Sequence, residues 1–325
     1  HESRAVTNRQ MMNAAVAYLH LLGTHQGVRV LEEIRERTAE LTKLTSDFAA
    51  TGAGLQADAD RMATELALVD SRLLMAREQA GVAGAQLARV ISADPQMDWI
   101  PTEITVMPLS IVTLEGDRSG MIATGLLRRP ELREAQSLVA AACERYRREK
   151  FAPLVPSVLL GFSNGGFGGG LGNNLSDVDG RYDFDALVAW EVRNFGLGEH
   201  ASRRNTSAQV QQAKYEKLRV MDQVASEISE AYAQVSFRSQ QVGVAEKAIQ
   251  TVLDSYQRNV SRIRDGQGLP LESLQSLRAL EDAQRGYIDA VTGYNQAQFR
   301  LQWALGWPVS PPPQQTEVIT SDVAI

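Results

Sequence analysis

A glycine-rich stretch is the first candidate for chemistry in this sequence. Residues 165–170 read Gly-Gly-Phe-Gly-Gly-Gly, which superficially resembles a phosphate-binding loop. Dinucleotide-binding loops join a buried strand to a helix whose N-terminus meets the phosphate. Here a second strand pattern follows instead. The sequence therefore favours a flexible loop between two strands, with nucleotide binding as the alternative.

The histidines and the single cysteine form no recognisable metal or catalytic pattern. His20 and His25 are five residues apart and face different sides of a helical pattern, while Cys143 lies on another predicted helix. A metal site needs ligands that converge, and one cysteine allows neither an intrachain disulfide nor a cysteine cluster. No nucleophile, base and orienting group stand in a believable arrangement. The sequence predicts no enzyme activity, no cofactor and no metal.

The composition points to long helices. Of 325 residues, 44% are apolar but only 6% are aromatic, and Ala, Leu, Gln, Glu and Arg dominate most of the chain, which is typical of helical scaffolds. A net charge of -6 argues against nucleic-acid binding, because that requires a basic surface. No apolar run reaches the roughly 18 residues of a membrane helix, so any membrane crossing must use strands.

An internal duplication organises these helices. Ala17 and Tyr18 match Ala231 and Tyr232 at an offset of 214 residues, and the register continues without a gap almost to Pro95 and Pro308. Each copy reads as a helix, a Gly-x-Gly-Leu turn and a returning helix. The copies are predicted over residues 1–95 and 198–308, the first being N-terminally incomplete.

Apolar residues in each copy repeat at the spacing of a coiled-coil seam. The first helix of copy one has a matching stripe that Thr38 and Thr45 interrupt. An ordinary helical hairpin in a soluble bundle is the alternative, but the proline-free helical pattern of 198–265 is long for such a bundle. The seam of the second helix of copy one comprises Met62, Leu66, Val69, Leu73, Ala76, Ala80, Ala83, Leu87 and Val90.

The segment between the copies changes character. Residues 96–128 are predicted to be a linker with a short strand at 102–113, and 129–153 a helix with Pro130 near its first position. Residues 154–197 are predicted to form a strand hairpin, with strands at 155–162 and 182–195. The tail 309–325 is expected to be extended or disordered.

The second strand alternates almost strictly between apolar and polar residues. Such alternation fits a membrane strand with a lipid face and a lumen face, although a soluble amphipathic strand would look similar. The predicted lipid-facing residues are Tyr182, Phe184, Val188, Trp190 and Val192.

The order of these parts resembles the TolC-like family of trimeric outer-membrane efflux proteins, across residues 8–308. The resemblance rests on four short runs: Arg-Pro-Glu-Leu at 129–132, Ala-Pro-Leu-Val-Pro-Ser-Val at 152–158, Trp-Glu-Val-Arg-Asn-Phe-Gly-Leu-Gly at 190–198, and Leu-Gly-Trp-Pro at 305–308. It implies a mainly α fold in which long antiparallel coiled coils form an α-barrel tunnel and strands join a shared trimeric transmembrane β-barrel. Only one strand hairpin is present, so we expect an N-terminal hairpin and helix to precede His1 in the complete protein.

The resemblance also implies candidate sites. The turns Gly52, Gly54, Leu55 and Gly266, Gly268, Leu269 would be periplasmic tips that meet an adaptor, although paired glycines also serve turn geometry. Asp58, Glu272 and Gln275 fall where the family closes its tunnel. Glu272 has an alternative explanation, because a carboxylate in the first turn of a helix is stabilised by the helix dipole.

The function implied is passive export through a homotrimeric duct in the outer membrane and periplasm, as the exit duct of a tripartite efflux or type I secretion system. The expected partners are a periplasmic adaptor, an inner-membrane pump and the lipid bilayer, with no nucleic acid. A structural coiled-coil scaffold without a pore is the alternative.

Overall fold

A computed structural model describes residues 2–52, 54–94, 96–114, 117–167, 179–190, 196–264 and 270–306. It divides into one unit of His1–Pro130 with Gln223–Ile325 and a second unit of Glu131–Asp222. No described helix is long and apolar enough to span a bilayer. The elements are α1 (Glu2–Ala50), α2 (Gln56–Ile91), α3 (Arg118–Arg128), α4 (Pro130–Phe151), β1 (Ser157–Phe167), β2 (Asp179–Ala189), α5 (Leu197–Arg264) and α6 (Pro270–Ala304).

The first unit contains the first predicted helical hairpin and the second one from Gln223 onward. In α2, every residue of the predicted seam is at least partly buried, and Met62, Val69 and Ala83 are almost inaccessible. The two threonines that interrupt the stripe of α1 are also buried. Thr38 donates its hydroxyl hydrogen bond to the Ile34 carbonyl at 2.7 Å and Thr45 to that of Leu41 at 3.0 Å. Because the helix backbone satisfies them, both hydroxyls can lie in the seam.

The two hairpins share one apolar core. Its residues come from all four long helices, so neither repeat buries its apolar face alone. A buried side chain of this size stabilises the fold by about 1.5–3 kcal/mol. The cluster comprises Ile34 and Leu41 of α1, Met62 and Val69 of α2, Tyr256 and Ile263 of α5, and Leu274, Leu277 and Leu280 of α6.

Residues 96–114 form a strap along the first unit, and the short strand predicted at 102–113 is absent. Side-chain amides bind the backbone where a neighbouring strand would have done so: Val106 N–H donates to Gln26, Leu109 N–H to Asn295 and Val112 N–H to Gln298, each at 2.8 Å. Asn295 also donates to the Met107 carbonyl at 2.8 Å. The β-favouring composition therefore produced an irregular segment that pairs with side chains and not with a strand.

Arg129, the first residue of the Arg-Pro-Glu-Leu run, attaches this run to α5 and α6 in the first unit. This arginine is 3% exposed, donates to Glu227 at 2.7 Å and stacks over the ring of Trp303 at 4.1 Å. A buried guanidinium needs such partners, since an unpaired buried charge is costly. Gly125 lies against Ile228, where an added Cβ would clash. The linker predicted over 96–128 thus ends in helix α3. The contacts of Gly125 and Arg129 hold this helix against the first unit.

The second unit contains α4, the beginning of α5 and the strand hairpin. Pro130 is the first residue of α4, as predicted, and the helix ends at Phe151, before Pro153. Lys217 donates to Gln136 at 2.9 Å and Ser202 to Glu149 at 2.8 Å. These contacts link α5 to α4.

The strand bounds differ from those predicted. β1 starts at Ser157 rather than 155 and extends to Phe167, while β2 (Asp179–Ala189) starts three residues before the predicted 182. Residues 191–195 of the predicted second strand lie outside the described residues. Glycines have low strand propensity, which made 161–167 read as a loop, but cross-strand pairing of Gly165 with Arg181 and of Gly166 with Gly180 keeps them in the ladder. Residues 168–174 of the predicted loop lie outside the described residues.

We expect Asn295→Ala to loosen the strap. The substitution removes two hydrogen bonds and leaves the Leu109 N–H and the Met107 carbonyl without this partner, a loss of about 1–3 kcal/mol. Hydrogen–deuterium exchange of a peptide covering 104–113 should become faster, while the seam of α1 and α2 should keep its protection. Gln296→Ala, on the same helix, is the control. Equal exchange in both variants would contradict the role of the amide.

Candidate functional site

The first predicted tip is a tight turn that requires its first glycine. Gly52 adopts φ +74°, a left-handed conformation that glycine accepts at least cost. Gly54 N–H donates to the Phe48 carbonyl at 2.9 Å, and a Cβ on Gly54 would lie 3.1 Å from that of Phe48. The glycines therefore have a structural use. Leu55 is 71% exposed at the end of the hairpin and is the apolar side chain that the turn presents.

The second predicted tip lies outside the described residues. Gly266, Gly268 and Leu269 fall between the end of α5 and the start of α6.

The three predicted aperture residues have different surroundings. Asp58 lies 3.6 Å from Arg61, one turn along α2, and Gln275 is exposed. Glu272 lies in the first turn of α6, as the dipole interpretation requires, and pairs with Arg262 of α5 at 3.2 Å. Both partners of that pair are about half exposed, and such pairs contribute only about 0–1 kcal/mol. The pair thus neutralises Glu272 locally without holding the hairpin together.

A buried charge cluster lies on α2 and α6, further from the turns than the aperture residues. It was not predicted from the sequence. The carboxylate of Glu65 is 2% exposed and accepts hydrogen bonds from Arg278 and, at 3.1 Å, from Arg72. Arg72 also donates to Glu281 at 3.0 Å. The cluster connects α2 of the first repeat to α6 of the second. The spacing of seven between Glu65 and Arg72 puts them on one face of α2, which was the only sequence signal.

The charges of this cluster stabilise one another. Burial opposes ionisation of Glu65, but the hydrogen bonds from Arg278 and Arg72 outweigh it and hold its pKa below the ordinary value. The hydrogen bond to Glu65 in turn raises the pKa of Arg278. Glu65 is therefore ionised at neutral pH and ties two arginines to the shared core.

The strand hairpin brings the predicted alternating residues onto one face. Val188 pairs with Val158, Phe184 with Phe162 and Ala186 with Leu160, and directly opposed residues in a ladder point to the same side. The apolar rows of both strands therefore coincide. Their large side chains are exposed, for example Phe162 at 70% and Phe184 at 69%.

Aromatic and charged groups complete the two faces of this hairpin. Tyr182 lies on the apolar face and stacks with Phe162, with ring centroids 6.3 Å apart. The opposite face carries Asp183 and Asp185, and Arg181 pairs with Asp183 at 2.8 Å. Trp190 follows the end of β2 and is exposed, while Val192 lies outside the described residues.

The described residues contain no group of three or more His, Cys, Asp or Glu side chains placed to hold a metal ion. Among the described residues, the strongest features are thus two surfaces, the first hairpin tip and the strand hairpin.

Residues 122–307 match the sequence profile of the family described as outer membrane efflux protein. The chain belongs to this family. Its function is therefore export as an outer-membrane channel, and it is located in the bacterial outer membrane and extends into the periplasm. A comparison with curated proteins gave no significant match.

Solved channel structures share the fold. The outer-membrane channel OprN superposes with a TM-score of 0.76 at 18% identity, over 93% of this chain and 67% of that one. The outer membrane protein VceC from Vibrio cholerae gives 0.77 at 17%, over 94% and 72%. The outer membrane channel CmeC from Campylobacter jejuni gives 0.76 at 14%, over 94% and 64%. These likenesses confirm the predicted fold class of long paired helices with a strand hairpin.

We expect Glu65→Gln to destabilise the first unit by about 2 kcal/mol at neutral pH, because charge-assisted hydrogen bonds are lost. The pKa of Glu65 is lower in the folded than in the unfolded chain, so its contribution is present above the ordinary carboxyl pKa and is lost as the pH falls through the folded value. Thermal unfolding of wild type and variant should therefore converge on acidification.

Asp70→Asn is the matched control on the same helix. Asp70 pairs with Arg35 at 2.6 Å, but both side chains are nearly half exposed, and the expected loss is below about 1 kcal/mol. If Glu65→Gln cost no more than this control, the buried cluster would not tie the hairpins together.

Proposed function

We propose that three copies of the chain form one duct, in which the strand hairpins join a shared membrane barrel and the helical hairpins form the periplasmic tunnel. The export is passive, and the chain itself performs no catalysis. The observation that carries this proposal is the exposed apolar face of the strand hairpin.

The hairpin has the surface of a membrane strand pair. Val158, Leu160, Phe162, Phe184 and Val188 are each at least half exposed on one face, although such residues are ordinarily buried in water-soluble domains. Each strand has 11 residues, and a tilted strand needs about 9–11 to cross the hydrocarbon layer. Lipid would cover the apolar face, and Arg181, Asp183 and Asp185 would line the lumen.

The hairpin edges, which pair with no further strand among the described residues, support this assembly. Two strands alone leave backbone groups unsatisfied, which the bilayer interior does not tolerate. Additional strands must therefore pair with both edges, and copies of the same chain can supply them around a common axis.

The helical tips suit a periplasmic partner. Gly52 and Gly54 hold a narrow turn from which exposed Leu55 projects, and an adaptor with an apolar hairpin end could contact it. Asp58, Glu272 and Gln275 lie just above the two turns, where they would surround the tunnel entrance in the assembly. An inner-membrane pump that works through the adaptor would supply the energy. Gly266, Gly268 and Leu269 complete the proposed tip.

We expect Leu160→Arg to impair outer-membrane assembly, because Leu160 lies on the lipid face two residues from the centre of β1 and an arginine near the bilayer midplane costs about 2–4 kcal/mol. Leu159→Arg is the matched control, because Leu159 is the adjacent leucine of β1, similarly exposed and on the opposite face. The measurement is the amount of heat-stable oligomer in isolated outer membranes.

Equal loss in both variants, or in neither, would contradict the assigned lipid face. A purified complete protein that remained soluble without detergent and formed no conducting pores in planar bilayers would favour the scaffold alternative and end the duct proposal.

A further inference from the structure

The outer faces of the helical hairpins break the symmetry of the duplication. On α2, Leu68, Met75 and Val82 form an exposed stripe with a spacing of seven, and each is about half exposed. The equivalent positions of α6, at an offset of 214, are Asp282, Asp289 and Gln296. The apolar stripe is therefore not required for a helix to fold in this hairpin. We call it the α2 stripe.

A second exposed stripe lies on α5. Phe237 and Val244 are seven residues apart and are 68% and 69% exposed, and Thr251 continues the line. Their equivalents in α1 include Gly23, which is buried against Thr292 of α6 so closely that an added Cβ would lie 2.8 Å from the threonine hydroxyl. We call these three residues the α5 stripe.

The packing of α1 on α6 within one copy serves as a template for the packing of helices between two copies. Within one copy, α1 of the first repeat packs on α6 of the second. Applying the repeat offset converts this pair into α5 of the second repeat and α2 of a following first repeat, and Gly23 with Thr292 becomes Phe237 with Glu78. A heterologous contact that repeats in this way generates a ring when the rotation closes. The two exposed stripes lie on the faces that the template selects.

The heights of the two stripes also agree. The pair Glu65 and Arg278 relates α2 to α6, and the bond from Asn259 to the Glu272 carbonyl at 3.4 Å relates α6 to α5. Counting residues along the helices from these two contacts puts Met75 of α2 at the same height along the bundle axis as Gly243 of α5, which is one residue from Val244. Rotation about an axis parallel to the helices preserves this level. The template and the levels together place Phe237 opposite residues 78–81 and Val244 opposite residues 71–74 of the next copy.

We propose that the α2 stripe of one copy packs against the α5 stripe of a second copy and forms the seam between adjacent hairpins of the duct. This inference rests on the proposed assembly of several copies. It specifies helices, faces and register, which the assembly itself does not. Phe237 inserts between Met75 and Val82, and Val244 inserts beside Met75, as knobs against the neighbouring helix.

Disulfide crosslinking in outer membranes tests this register. In a Cys143→Ala background, Val244→Cys is combined in turn with Ser71→Cys, Met75→Cys, Leu74→Cys or Val82→Cys. A disulfide needs Cα atoms within about 7 Å, and one heptad shifts a residue by about 10 Å along a helix. We expect covalent dimers and trimers with Ser71→Cys or Met75→Cys, and their loss with Val82→Cys and with Leu74→Cys, which lies on another face.

The oligomeric state is measured on the same membranes by native mass spectrometry after detergent extraction. Trimers without crosslinks at Ser71 or Met75 would overturn the seam and leave the proposed assembly intact. Crosslinks that were equally strong at Leu74 would overturn it as well. A monomeric protein would overturn both.

Met75→Asp gives an independent test, because it copies Asp289 of the equivalent helix. We expect a loss of trimer with unchanged helical circular dichroism, while Leu74→Asp keeps the trimer. Trimers that persist in Met75→Asp at wild-type abundance would contradict the seam. If Met75→Asp fails to fold, the crosslinking results alone decide whether the two stripes form the seam.

Discussion

The burial of one apolar seam shared by two helical hairpins is the interaction on which the first unit depends. Neither hairpin can cover its own stripe, so Met62 and Val69 of one repeat pack in the same cluster as Leu277 and Leu280 of the other. The charge cluster around Glu65 lies beside this seam. Apolar burial is non-directional, whereas the hydrogen-bonded ion pairs of the cluster require a defined geometry between the two helices. Together they fix how one repeat sits against the next.

Polar side chains fix the position of backbone segments that apolar packing alone does not position. The threonine hydroxyls of α1 are satisfied by their own helix, whereas Gln26, Asn295 and Gln298 act as backbone partners for the strap. Buried amides with full hydrogen bonding accept only a narrow range of geometries. The strap is thereby held in one register without the ladder that a strand would require.

The strand hairpin follows a different physical rule from the helical seam. Its apolar side chains are exposed, and in the part of the chain that the structure describes no further strand pairs with its edges, which is unfavourable in water and favourable only where lipid and further strands cover them. The same chain thus places residues suited to water and residues suited to a bilayer in separate units. Membership of the outer membrane efflux family accounts for this combination.

The sequence by itself determined the duplication, the four long helices, the turn at Gly52 and the alternating faces of β2, because these depend on local spacing and on periodicities of two and 3.6 residues. It did not determine the strap, the extension of β1 through its glycines or the pairing of Glu65 with Arg278. Those depend on partners far apart in the chain, and a glutamate or an asparagine has no pattern that reveals whether a distant group will satisfy it. Only the tertiary structure brought these partners together and left the α2 and α5 stripes exposed.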